Sequence, residues 1–289
     1  MHAEDAVITI PIAVHAEPFR WQLDLFWYAH RAVYGGGAYA RAHAAVIKRN
    51  CVNAGKVERM FWGIDVPHTM CEAYFDIAPR LPGVHLISSK LIVGVPLNIQ
   101  AGLYQVLPRF ADHQILEVVD CDMFHFRPSP VRDVGANQLL VSDVYENWHL
   151  FSRTGNRHVI SPYFENEGRY YNGGFVPIIG HAATFRRILP EWINVHIDIL
   201  RRDFGGSIHW WAGMFALQAA CEKARVEMIG HDCCRVPPVN GATRTQYIGH
   251  YSVDPIFDKR SFPNIDVTKF EANDYYRLIA NWMQHRLAG

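Results

Sequence analysis

Short apolar runs alternate with longer segments whose apolar residues recur at helical spacing. Val7 to Val14 (VITIPIAV) reads as a first buried strand, with Pro11 predicting a bulge or bend. Phe19 to Tyr34 places Trp21, Leu25 and Tyr28 on one helical face and stops at Gly35-Gly36-Gly37. Ala38 to Asn50 predicts a second helix, Val84 to Ser88 a short strand and Pro96 to Phe110 a helix with Pro96 near its first turn. The run Ile115-Leu116-Glu117-Val118-Val119 reads as a buried strand, β-branched at its end, and breaks into Asp120-Cys121-Asp122. Further strands are expected at Leu139 to Ser142, Phe175 to Ile179, Val226 to Ile229 and Gln246 to Ile248. Helices are expected at Ala182 to Arg202, kinked or divided by Pro190, at Ile208 to Ala224, and at Phe270 to Arg286. This alternation predicts an α/β fold.

Composition narrows the classes. The chain has 289 residues, 49% of them hydrophobic, enough for a substantial core and for one large domain or two small ones. Lys plus Arg equals Asp plus Glu at 28 each, which argues against a nucleic-acid partner held by bulk charge. No apolar run reaches membrane-spanning length, and Met1-His2-Ala3-Glu4-Asp5 lacks a signal-peptide pattern. None of the six cysteines forms a CxxC pair, so reduced thiols and a cytoplasmic location are expected.

The two acids after the 115–119 run carry the chemistry. Desolvating both is costly unless something positive neutralises them. Open α/β sheets bind ligands at the carboxyl ends of their strands. Mg²⁺ and Mn²⁺ take oxygen ligands, commonly one or two carboxylates together with substrate phosphates. Asp120 and Asp122 are therefore candidate ligands of a divalent cation and, through it, of a diphosphate.

Three more segments complete a resemblance. Tyr170-Tyr171-Asn172-Gly173-Gly174-Phe175, Trp210-Trp211-Ala212-Gly213-Met214-Phe215-Ala216 and Tyr247-Ile248-Gly249-His250-Tyr251 follow Asp-x-Asp in order. Together they resemble the metal-dependent GT-A glycosyltransferases. The first resembles a turn of the glycogenin and lipopolysaccharide galactosyltransferase group, the second a segment of the plant hydroxyproline and serine glycosyltransferases, and the third the late His-Tyr segment of retaining GT-A enzymes. The resemblance implies a GT-A, Rossmann-like three-layer α/β/α fold with a mixed central sheet. It implies one domain over 1–289, its nucleotide-binding part about 1–125 and its acceptor side about 126–289. It further implies that Mn²⁺ or Mg²⁺ is held by Asp120, Asp122 and His250, and that Lys259 or Arg260 caps the phosphates. The donor is expected to be a nucleotide-diphosphate sugar, by default a UDP-sugar, and the acceptor a carbohydrate hydroxyl, with retention of configuration. Asn172, Gly173 and Gly174 would contact the donor sugar, and Asp143 and Glu146 would lie beside it. Thr9, His15 and Asp65 would lie where the nucleotide base sits. One departure stands out: the acid of the tryptophan-containing segment is Gly213 here.

Three other readings share part of this pattern. A haloacid-dehalogenase-type phosphohydrolase also ends a strand in Asp-x-Asp, but near the N-terminus and with Thr or Val where Phe124 stands. A sugar nucleotidyltransferase needs a glycine-rich basic loop after the first strand, where this chain has His15-Ala16-Glu17-Pro18. A non-catalytic glycan- or nucleotide-binding protein on a degenerate GT-A fold is the third.

Overall fold

The computed structural model describes residues 7–14, 17–35, 45–48, 71–74, 98–142, 157–164, 175–202, 211–235, 246–251, 254, 256–270 and 272–288. Within them, ten strands form two sheets. The strands are β1 (Ile8–Val14), β2 (Ala45–Lys48), β3 (Cys71–Tyr74), β4 (Ile115–Asp120), β5 (Met123–His125), β6 (Gln138–Ser142), β7 (Phe175–His181), β8 (Glu227–His231), β9 (Cys234–Arg235) and β10 (Ile248–His250). The central sheet has the order β3-β2-β1-β4-β7-β6-β8. It is mixed: β3, β2, β1 and β4 run parallel, β7 is antiparallel to both β4 and β6, and β8 runs parallel to β6. The α/β fold with a mixed central sheet agrees with the sequence reading.

β4 is flanked by β1 and β7 and is covered on both faces. Leu116, Val118 and Val119 are fully buried, each contributing about 1.5–3 kcal/mol by transfer from water. A strand covered in this way is expected to read as a near-continuous apolar run. β5, β10 and β9 form a smaller sheet beside its carboxyl end.

The principal helices are α1 (Glu17–Tyr34), α2 (Asn98–Val106), α3 (Arg157–Ile160), α4 (Ala182–Arg202), α5 (Ala212–Lys223) and α6 (Asp274–Ala288). α1 ends where Gly35 takes a positive φ of 81° and returns its N–H to the Arg31 carbonyl. This is a left-handed cap that glycine adopts without Cβ strain. α1 packs against β1, β5 and α6; α2 packs across β1, β2 and β3; α4 packs along α5. Trp21, Phe262 and Trp282 stack between α1 and α6, and the Trp282 indole N–H donates to Asp24. Arg186 of α4 donates to the Leu107 and Phe110 carbonyls and to Asp112, tying α4 to the turn that leads into β4.

Several expectations need correction. The helix expected over Ala38 to Asn50 gives way to β2, because pairing with β1 and β3 overrides the local propensity of an Ala-rich stretch. Pro11 makes no break: it is in register with Val119, and pairing with β2 begins only at Ile12. Pro190 lies inside an undivided α4. The β3, β5 and β9 strands were not anticipated. The strand expected at Val84 to Ser88 lies outside the described residues.

Candidate metal and donor site

β4 ends at Asp120, and the chain turns through Cys121 and Asp122 before β5 begins at Met123. The turn brings two acids from positions two apart to one place. The third member comes from far along the chain. β10 lies antiparallel to β5 with His250 opposite Met123, and the Tyr251 N–H donates to the Asp122 carbonyl. His250 Nε2 then sits 3.1 Å from Asp122 Oδ1. One ligand atom from each of Asp120, Asp122 and His250 lies within 4.8 Å of the others.

Lys259 completes the electrostatics. Its Nζ lies 2.7 Å from Asp122 Oδ2. The turn that carries it is built on buried Asp254, whose Oδ1 accepts from the Ile256 and Phe257 N–H groups while its carboxylate accepts from the Tyr275 and Tyr276 hydroxyls. Of the two phosphate-capping candidates, only Lys259 reaches the acids; Arg260 is 85% exposed and pairs with Asp258.

The charges of the site are mutually dependent. Burial, and then the neighbouring Asp122 charge, push the Asp120 carboxyl up to about 6. Burial would raise Asp122 as well, but His250 and Lys259 more than offset it and hold that carboxyl well below the usual range. Burial lowers His250, whereas Asp122 and then Asp120 raise it, with a net upward shift. Two carboxylates and an imidazole are a donor set that suits Mn²⁺, and a cation there would favour the charged form of the Asp120 carboxyl, which burial and then Asp122 oppose.

Beneath this cluster lies a group that the sequence reading missed. Glu117 is 0% exposed, yet it sits in the middle of β4. It accepts from Thr9 Oγ1 at 2.9 Å, from His125 Nε2 at 2.9 Å and from the Tyr247 hydroxyl at 2.7 Å. Thr9, expected beside the nucleotide base, is therefore buried with its hydroxyl committed to Glu117. The available signal was an acid interrupting an otherwise apolar strand.

The tryptophan-containing segment also has a clear packing role. Phe215 is buried in α5, and the Gly213 carbonyl accepts from the Trp192 indole N–H at 2.7 Å. A Cβ on Gly213 would stand 3.0 Å from Cε1 of buried His196, which itself bonds Gln100. The backbone at this position is pressed against the core. Asp65, His15, Asp143, Glu146, Asn172, Gly173, Gly174 and Trp210 lie outside the described residues.

No protein-family model matches the chain, and no curated protein matches its sequence. Solved structures do match. One is the bifunctional glycosyltransferase WbbM, in its apo form, with a TM-score of 0.53 at 9% identity over 97% of this chain. The chain spans 50% of the WbbM chain. Another is an active-site variant of LgtC, with a TM-score of 0.50 at 12% identity, covering 93% of this chain and 99% of that one. Both are GT-A glycosyltransferases. The strand order, the Asp-x-Asp turn at the end of β4 and these likenesses agree: the protein has the fold of the GT-A glycosyltransferases.

Proposed function

We propose that this chain is a metal-dependent glycosyltransferase that moves a sugar from a nucleotide-diphosphate donor, a UDP-sugar, to a carbohydrate hydroxyl with retention of configuration. The observation that carries this reading is the Asp120, Asp122 and His250 cluster at the carboxyl end of β4, where open α/β sheets receive ligands. Asp120, Asp122 and His250 would hold Mn²⁺ or Mg²⁺, which when bound neutralises charge developing on a departing diphosphate.

The protein groups divide the remaining work. Lys259 adds a point charge beside the same acids, suited to phosphate oxygens. Asp254 fixes the turn that carries Lys259, so this charge is placed before a ligand arrives. Asn172, Gly173, Gly174, Asp143 and Glu146 orient the donor sugar in this reading, and His15 and Asp65 lie toward the base. The bond between the sugar and the diphosphate breaks through an oxocarbenium-like centre, and the acceptor oxygen bonds to the anomeric carbon as its proton passes to the departing diphosphate.

A thermal-shift panel of nucleoside diphosphates and nucleotide sugars, with and without Mn²⁺, tests the reading. A ligand at a hundred times its Kd stabilises by about 2.7 kcal/mol. The expected result is a shift with a uridine diphosphate that requires Mn²⁺ and disappears in Asp122→Ala. No diphosphate-dependent shift in the presence of metal would refute it. Metal-dependent binding without donor hydrolysis or transfer would identify a non-catalytic binding protein on the same fold.

A further inference from the structure

We infer that Glu117, acting through His125 and Tyr247, pins the register of the small sheet and so keeps the His250 imidazole beside the Asp122 carboxylate; this positioning role rests on the metal-site reading above.

The geometry begins with the shortness of the strands. β5 and β10 are three residues each and pair as Ile248 with His125, Gly249 with Phe124 and His250 with Met123. Tyr247 precedes one end of this ladder and accepts from the Phe126 and Arg127 N–H groups. Asp122 lies just past the other end, where its carbonyl takes the Tyr251 N–H. His125 follows Asp122 by three residues, and Tyr247 precedes His250 by three, a span of roughly 10 Å along an extended strand. Glu117 thus clamps one end of the ladder, and the metal-site residues occupy the other.

A ladder this short specifies its register weakly by backbone bonds alone. A slip of one residue turns every side chain to the opposite face, which would point His250 away from Asp122. The middle position contributes only by exclusion: Gly249 faces the Tyr275 ring, where a Cβ would not fit, and has no side chain with which to bond. The polar contacts of Glu117 supply what is missing. A buried carboxylate is tolerated only where donors meet it, and two of its three donors come from the β5 and β10 segments. A slip of β10 along β5 would withdraw the Tyr247 hydroxyl and leave the buried carboxylate short of a donor. Burial opposes ionisation of Glu117, but His125 and the two hydroxyls reverse the balance, so the group is the acceptor for all three.

The test uses the full chain with Tyr247→Phe, which removes one hydroxyl, and Glu117→Gln, which keeps shape and removes charge. Amide hydrogen exchange is measured without metal, and Mn²⁺ affinity by calorimetry well below the melting temperature. We expect exchange at Phe126, Arg127 and Tyr251 to quicken by about tenfold or more while β6 and β8 amides keep their rates, the signature of local opening. Mn²⁺ affinity falls by about 10–100-fold, the range seen when partners that orient metal ligands are lost. Val141→Ala in β6, a core truncation remote from the clamp, lowers the melting temperature and leaves Mn²⁺ affinity unchanged. Unchanged exchange and unchanged affinity in both variants would overturn the inference, as would faster exchange spread evenly over β6 and β8 with affinity intact. If local opening occurs but the parent chain takes up no Mn²⁺, the register pin stands and the metal-site reading falls.

Discussion

Replacing Asp122 by Asn separates what this residue does for the fold from what it does for a cation. The side chain is 10% exposed and accepts from His250 at 3.1 Å and Lys259 at 2.7 Å. Asn keeps the shape and one carbonyl oxygen but turns an amide N–H₂ toward one of the two donors. A hydrogen bond to a charged group contributes about 1.5–3 kcal/mol. Lys259 is 32% exposed, so its share falls toward the ~1 kcal/mol or less of a solvated ion pair. Relief of the Asp120–Asp122 repulsion, the second cause of the raised Asp120 carboxyl after burial, acts in the opposite direction. The balance is a loss of about 1–2 kcal/mol, or about 2–8 °C in melting temperature for a chain of this size. Metal affinity behaves differently. Losing an anionic ligand costs more than the ~10–100-fold associated with an outer partner. Scanning fluorimetry without metal reads the first effect, and calorimetric Mn²⁺ titration reads the second. A variant that binds Mn²⁺ as the parent does would refute the ligand assignment. A variant that melts higher would show that repulsion between the acids, rather than the embrace of His250 and Lys259, governs this turn.

Three other outcomes are expected. Gly249→Ala places a methyl about where the Tyr275 ring lies, at 2.6 Å from Cε2; it lowers the melting temperature and weakens Mn²⁺ binding together, because β10 must move as a unit, and calorimetry on the folded variant checks the second effect. Asp254→Asn leaves a tyrosyl hydroxyl or a backbone N–H facing an amide donor, costs about 1–3 kcal/mol and frees the Lys259 turn, read as faster exchange at the Phe257 amide. Glu117 gives a pH signature: burial raises its carboxyl, yet His125, Tyr247 and Thr9 hold it below the ordinary 4.5. A lowered folded-state value means stability that is complete above about 4.5 and lost as pH falls through the folded value, so an acid melt of Glu117→Gln shows a flatter decline below that pH than the parent.

What was legible in the sequence follows from distance along the chain. β4 and its Asp-x-Asp end were readable because a strand buried on both faces has one appearance, an apolar run, and because two acids directly after it have few idle uses. α1 and its glycine stop were readable for the same local reasons. Glu117 was not, because its meaning lies in partners 108 and 130 residues away at Thr9 and Tyr247; in the local window it is only a flaw in a hydrophobic pattern. β2 misled because Ala-rich composition favours a helix and only the waiting edges of β1 and β3 make it a strand. β5 and β10, three residues each, are too short for periodicity to register, yet they bring His250 to the acids. His250 was found through its resemblance to a known segment, and nothing in its own neighbourhood distinguishes it from the other histidines. The residues proposed to meet a ligand were thus more legible than those that place them. A charge set inside an apolar strand is the one local sign that such a placing group exists, because burying it is costly unless distant donors are committed to meet it.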